Sequence, residues 1–140
     1  MSASLSPIAA SLNVAIGGAI GALLRYQLGR GMTAWLGAQI IGAFPFATLA
    51  ANAIGSLLMG VLAGWLARNG GDGSVAPDQL RLLLGVGLLG GFTTFSAFSL
   101  EMVLMIERGQ LLFASLYVIL SVALGISGLM VGLMLTRLFA

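Results

Sequence analysis

Cysteine, histidine and lysine are all missing from this chain, and charge of either sign is scarce. Without cysteine there is no disulfide and no thiolate ligand, and without histidine there is no imidazole to bind a metal or to shuttle protons near neutral pH. The six basic residues are all arginine and lie scattered along the sequence, so no basic run or stripe marks a nucleic-acid partner. No nucleophile stands beside a base that could activate it, and the chain is read as a non-enzyme. Charged residues make up 7% of the sequence against 59% hydrophobic, too little polar material to cover a water-soluble globule of 140 residues. The chain therefore belongs in a lipid bilayer. Basic residues are also lacking ahead of the first apolar run: Met1 to Leu12 has none of the positive charge that opens a cleaved secretory signal, so this stretch is expected to stay as a helix.

What is present is apolar sequence in lengths that fit a membrane, since a helix needs about 20 mostly apolar residues to cross the hydrocarbon core. The first stretch runs from about Ile8 to Leu28 and is expected to end at Arg25, Gly29, Arg30 and Gly31. Gly42 and Pro45 interrupt a short apolar linker, and a second stretch follows from about Phe46 to Leu66, closed by Arg68 and the loop Asn69 to Ser74, with Pro77 beyond it. A third runs from about Leu80 to Ile106 and a fourth from about Leu111 to Leu138, separated by Glu107, Arg108, Gly109 and Gln110. These spans, 8–28, 46–66, 80–106 and 111–138, make one transmembrane domain over residues 1–140, all helical, with both ends on the same side.

Orientation normally follows the excess of Lys and Arg in cytoplasmic loops. Arg68, Arg81 and Arg137 fall on the side of the termini, while Arg30, Arg108 and, near its helix end, Arg25 fall opposite, so the tally is even. A chain without bias can insert both ways, and two opposed copies would supply the inverted repeat that larger transporters encode in one polypeptide. An antiparallel, dual-topology homodimer is therefore expected, against the alternative that other folding effects fix one orientation. The 21 glycines suit close helix approach in lipid; Gly17 with Gly21, and Gly128 with Gly132, form small-xxx-small pairs.

Several polar residues inside the spans need a reason. Asn13, Gly17, Gly21 and Arg25 share one helical face. Arg25 either snorkels to the headgroups or lines an electropositive vestibule. Thr48, Asn52 and Ser56 form a polar stripe in which the Asn52 amide either serves an anion or makes an interhelical hydrogen bond. In span three, Gly87, Gly90 and Gly91 precede Phe92, Thr93, Thr94, Phe95, Ser96, Ala97, Phe98 and Ser99, a run that makes a regular helix improbable in mid-membrane. Broken helices at that depth are tolerated where freed backbone groups find partners, commonly ions or a wet cavity. Phe95 and Phe98 would share a face if the helix resumes; their partly positive ring edges could attract an anion, or the rings could simply pack. Tyr117, Ser121 and Gly125 share a face of span four. Glu101, a turn past the motif, is expected to pair with an arginine near the interface.

These motifs together resemble the single-domain bacterial fluoride channel family of CrcB/Fluc type. The resemblance is carried by Gly17-Gly18-Ala19-Ile20-Gly21-Ala22-Leu23-Leu24-Arg25-Tyr26, by Phe46-Ala47-Thr48-Leu49-Ala50-Ala51-Asn52-Ala53-Ile54-Gly55-Ser56, and by the run from Gly87 to Ser99. Their order and spacing, and the total length, agree across nearly the whole chain. It implies an antiparallel homodimer in the bacterial inner (cytoplasmic) membrane, with two narrow fluoride pathways along the interface and the third helix broken mid-membrane. By that likeness Asn52 hydrogen-bonds the ion, Phe95 and Phe98 form an edge-on aromatic box, Thr94 and Ser96 contribute hydroxyls, and Tyr117 with Ser121 continues a polar track. Arg25 would line the vestibule. Backbone carbonyls at the break, here of Gly90 and Thr93, would hold a structural sodium ion between the two subunits. Two positions depart from the family pattern. Ala97 stands where the family usually has Thr, and Gly125 where some relatives carry another hydroxyl, so the track here is thinner.

The implied activity is passive export of cytoplasmic fluoride down its electrochemical gradient, giving fluoride resistance. Amide, hydroxyl and ring-edge donors can replace the water around a small anion and still release it, whereas a fixed lysine would hold it too firmly. The competing reading is a small four-helix, dual-topology, proton-coupled multidrug exporter, a class that relies on a carboxylate in its first helix; span one here has none. A passive scaffold would account for the glycines but not for the cluster from Thr93 to Ser99.

Overall fold

The computed structural model describes residues 5–70 and 75–138. Met1 to Ser4, and Gly71 to Ser74 of the expected second loop, lie outside the described residues. Among the described residues four helices are long and apolar enough to cross a membrane: Pro7–Leu36, Phe46–Asn69, Val75–Glu107 and Leu111–Leu138. In chain order the elements are α1 (Pro7–Leu36), a short α2 (Ala38–Ala43) between the first two spans, α3 (Phe46–Asn69), α4 (Val75–Leu80), a π-helical stretch (Arg81–Leu89), α5 (Gly90–Phe92), α6 (Phe95–Glu107) and α7 (Leu111–Leu138).

The first span is longer than expected. Ser6 caps its start by accepting from the N–H of Ala9 at 3.2 Å, with Pro7 in the first turn where its missing N–H does no harm. Gly29, Arg30 and Gly31 do not end it. In an apolar medium no water competes for freed backbone groups, so glycines keep their helical bonds. The chain turns only at Gly37, whose φ of +89° suits a residue without Cβ and whose N–H closes on the Thr33 carbonyl at 3.0 Å. At 30 residues, α1 is about 45 Å long against a hydrocarbon core of about 30 Å, so it carries Arg30 well past Arg25 on a continuous helix. The third span is likewise longer than expected, being already helical at Val75, and Pro77 does not interrupt it. The other two spans begin at Phe46 and Leu111, as the sequence implies, although α3 runs on to Asn69.

Glycine decides how the spans pair. A methyl added at Gly17 would overlap the carbonyl oxygen of Leu83, and one at Gly21 would overlap that of Leu88; one at Gly87 would lie 2.9 Å from the Cα of Gly17. Thus α1 lies backbone to backbone on the π-helical stretch. The same device joins α3 to α7, where a methyl at Gly60 would strike the Leu129 carbonyl and one at Gly132 the Leu57 carbonyl. A small core of Phe44, Met105, Ala114 and Tyr117, with Leu49, Phe98 and Met102 against it, joins the linker before α3 to α3, α6 and α7. Much of the remaining apolar surface is exposed, as lipid contact allows.

The packing yields a direct test. Gly21→Val is expected to force α1 off the π-helical stretch and destabilise the protein by about 1–3 kcal/mol or more, the usual range for overpacking. Gly29→Ala, where nothing lies within 4 Å, should be tolerated. Thermal unfolding in detergent distinguishes them, and equal midpoints for the two variants would contradict the close contact.

Candidate ion site at the break in the third span

The third span is interrupted at Thr93 and Thr94, whose backbones are extended, with ψ of 159° and 122°. Thr93 still closes the preceding turn: its N–H and its hydroxyl both donate to the Leu89 carbonyl, at 2.9 and 2.8 Å. Its methyl fits against α3 only because position 55 is glycine; a Cβ there would overlap Thr93 Cγ2. Thr94 turns its peptide groups toward α3 instead. The N–H of Thr94 donates to Asn52 Oδ1 at 2.8 Å, and Asn52 Nδ2 donates back to the Thr94 carbonyl at 3.1 Å. One side-chain amide therefore replaces the backbone partners that a continuous helix would supply, and among the described residues one of its two N–H groups stays uncommitted. The same turn restarts the helix: the Thr94 hydroxyl accepts from the N–H of Ala97 at 3.2 Å as the cap of α6, and lies 3.2 Å from the Ser96 hydroxyl.

Because the Thr94 N–H goes to Asn52, the Gly90 carbonyl loses its helical donor. Among the described residues neither it nor the Thr93 carbonyl accepts a hydrogen bond from outside a helix. Backbone oxygens freed in this way suit a hard cation such as sodium.

Cavities flank the break on two sides, and Thr94 lines both. One, of about 770 Å³, is lined by Arg25, Tyr26, Arg30, Thr33 and Thr48 as well as Thr94. The other, of about 270 Å³, is lined by Asn52, Ser56, Thr93, Thr94 and Phe95, with no charged residue. Arg25 is half-buried, and its Nε donates to the Gly91 carbonyl at 3.2 Å, which fixes the guanidinium beside the break while leaving its terminal nitrogens for other partners.

The two phenylalanines stand differently. Their ring centroids are 5.6 Å apart, but Phe95 is 79% exposed whereas Phe98 packs on Tyr117 at 5.0 Å. Phe95 therefore offers its ring to whatever covers this face.

Among the described residues Glu101 makes no ion pair with an arginine. Its carboxylate accepts from Thr48 Oγ1 and from the Tyr117 hydroxyl, each at 2.7 Å. Charge-assisted bonds of this kind contribute about 1.5–3 kcal/mol each, enough for two to offset much of the several kcal/mol that a desolvated carboxylate costs. The arrangement also changes the reading of Tyr117. A phenol has one proton, and here it goes to Glu101, in a side chain with 0% exposure; Tyr117 orients the carboxylate and offers no free donor to an anion. Ser121, one turn along α7, is the opposite case: its hydroxyl oxygen is buried and has no hydrogen-bond partner among the described residues. Sequence reasoning missed the contact of Thr48 with Glu101 and the place of Arg30 in the Arg25 cavity. An unpaired carboxylate inside a span was the available signal for the first. Nothing local marked the second, because Arg30 looked like a helix stop.

The site thus sets a helix break, pinned by Asn52, between a cavity lined by two arginines and one lined by no charged residue. The family described as "CrcB-like protein, Camphor Resistance (CrcB)" matches residues 12–133, and the chain belongs to that family. It is 65% identical over 140 residues, 98% of each chain, to a protein of Erythrobacter litoralis (strain HTCC2594) named "Fluoride-specific ion channel FluC". Proteins carrying the same name in Novosphingobium aromaticivorans and Phenylobacterium zucineum are 56% and 52% identical, over 89% and 91% of this chain and 93% and 95% of theirs. The exporter reading has no such support.

Removing the clamp should be costly. Asn52→Ala leaves the N–H and carbonyl of Thr94 without partners and is expected to lower stability by about 2–6 kcal/mol, taking about 1–3 for each orphaned group. Asn52→Asp keeps an acceptor for the N–H but sets an oxygen against the Thr94 carbonyl, and should fall between. Unfolding followed by the fluorescence of Trp35 and Trp65 reports both, and midpoints at the wild-type value would show that Asn52 does not hold the break.

Proposed function

We propose that this chain is a fluoride-selective channel that lets cytoplasmic fluoride leave passively, working as an antiparallel homodimer in the bacterial inner membrane. The observation that carries the reading is Thr94, pinned by Asn52 and shared between the arginine-bearing cavity and the uncharged one. The names of the relatives and the even tally of arginines support it. Hydrogen fluoride crosses a bilayer as a neutral molecule, ionises in a near-neutral cytoplasm and is trapped there, and a negative interior then drives the anion out through a selective pore.

In this reading the Arg25 cavity gathers the anion by charge, and the break receives it. The spare N–H of Asn52, the hydroxyls of Thr94 and Ser96, and the unpaired hydroxyl of Ser121 replace water with weak, fixed donors, while the edges of Phe95 and Phe98 attract the ion without hydrating it. Glu101 holds Thr48 and Tyr117 in place. The negative charge of Glu101 is spread into two hydroxyl donors, which lessens its repulsion of a passing anion. The 79% exposed ring of Phe95 supports a second copy as its cover, so that the pathway is completed across a dimer interface. The freed carbonyls of Gly90 and Thr93 fit a sodium ion, which would tie the two breaks together as a structural element at the break rather than take part in conduction.

Fluoride efflux from proteoliposomes, with chloride run in parallel, tests the channel. Phe95→Ile keeps comparable bulk but loses the ring edge, so a variant that still assembles as a dimer should conduct at least about tenfold more slowly. A wild-type rate would remove the ring from the pathway. Replacing sodium on both sides by a larger cation should also slow efflux, and reporters fused to the carboxyl terminus should be found on both sides of the membrane. Single-sided reporters would rule out dual topology.

A further inference from the structure

We propose that Arg30 is an anion-collecting residue of the conduction path, extending the charge of Arg25 outward along α1. The inference rests on the channel reading above and adds a determinant of its rate. Because α1 continues unbroken to Leu36, Arg30 is not a loop residue: it stands five residues beyond Arg25, about 7.5 Å farther along the axis, and lines the same 770 Å³ cavity. That cavity reaches from Arg30 and Thr33 to Thr94 at the break, and no carboxylate is among its lining residues.

The two guanidiniums are held differently. Arg25 is tied to the Gly91 carbonyl. Arg30 lies over the Tyr26 ring, 5.9 Å from its centroid, and among the described residues it makes no hydrogen bond or ion pair. A cation stacked on a ring keeps its N–H groups, which lie in the guanidinium plane, free for an anion. The cavity is far too large to select a monatomic ion. Its contribution is to raise the local anion concentration, which affects how often the break is reached and not which anion passes.

An arginine near the end of a long helix can instead snorkel to lipid phosphates and only anchor the helix. Ionic strength separates the two roles, because the Debye length falls from about 30 Å at 0.01 M to about 3 Å at 1 M. Wild type, Arg30→Gln and Arg30→Lys are reconstituted in zwitterionic lipid after each is shown to assemble normally. Initial fluoride efflux is measured at low fluoride, at about 10 mM and about 1 M ionic strength set by an impermeant salt. Arg30→Gln should be about two- to fivefold slower than wild type at the low value and equal to it at the high one. Arg30→Lys should follow wild type at both, and fluoride preference over chloride should not change in any of them. A ratio of Gln variant to wild type that is the same at both ionic strengths would overturn the proposal, whether it is unity or a uniform loss. A changed anion preference would do so as well. No fluoride efflux from the wild type at either ionic strength would sink the channel reading itself, and this inference with it.

Discussion

The reciprocal pair of hydrogen bonds between the Asn52 amide and the Thr94 peptide groups is the constraint on which the rest of this molecule depends. An interrupted helix in an apolar medium exposes donors and acceptors that water would otherwise satisfy, at a cost of several kcal/mol for each group left bare. Asn52 meets that cost with one side chain from a neighbouring span. Its planar amide carries a donor and an acceptor side by side, as a peptide does, so it imitates the missing turn. The break can then persist as a fixed feature, with Thr94 free to cap α6 by its hydroxyl and to face a cavity on either side.

That clamp needs α3 and the third span to be close, and glycine makes them so. Gly55 admits the Thr93 methyl beside α3, while Gly17, Gly21 and Gly87 bring α1 onto the π-helical stretch that leads into the break. Widened helical turns often occur at functional sites, where they shift the register of the residues downstream. Here the widened stretch delivers Gly91 to the Arg25 guanidinium, so a cation is fixed at the break by the same packing that positions the break. Helix pairing and site geometry are one arrangement.

Electrostatics depend on which groups receive the few protons available. Glu101 takes those of Thr48 and Tyr117 and has no ion pair among the described residues, while Arg25 and Arg30 face a cavity lined by no carboxylate. Keeping cations and the carboxylate apart leaves the arginines unneutralised toward an anion. Ser121, by contrast, has a buried hydroxyl with no hydrogen-bond partner among the described residues.

Composition and spacing alone determined that the chain is an all-helical membrane protein of four spans, and marked the run from Thr93 to Ser99 as irregular, whereas the structure confines the interruption to Thr93 and Thr94 and resumes the helix at Phe95. The spans and the irregular run are properties of apolar length and of local backbone preference, which neighbours in sequence settle between themselves. The motifs in register also pointed to the family. The reach of α1 past Gly29, Arg30 and Gly31 was not legible, because residues that stop a helix in water need not stop one in lipid. Nor were the partners of polar groups. Asn52 meets Thr94, 42 residues away, and Glu101 meets Thr48 at 53 and Tyr117 at 16. An amide or a hydroxyl has the same short list of possible partners in any sequence, and only the packing of the spans decides which of them comes within 3 Å. That is why the sequence could nominate Asn52 and Tyr117 as polar residues of interest, while the tertiary structure alone gave the first to the broken backbone and the second to a carboxylate.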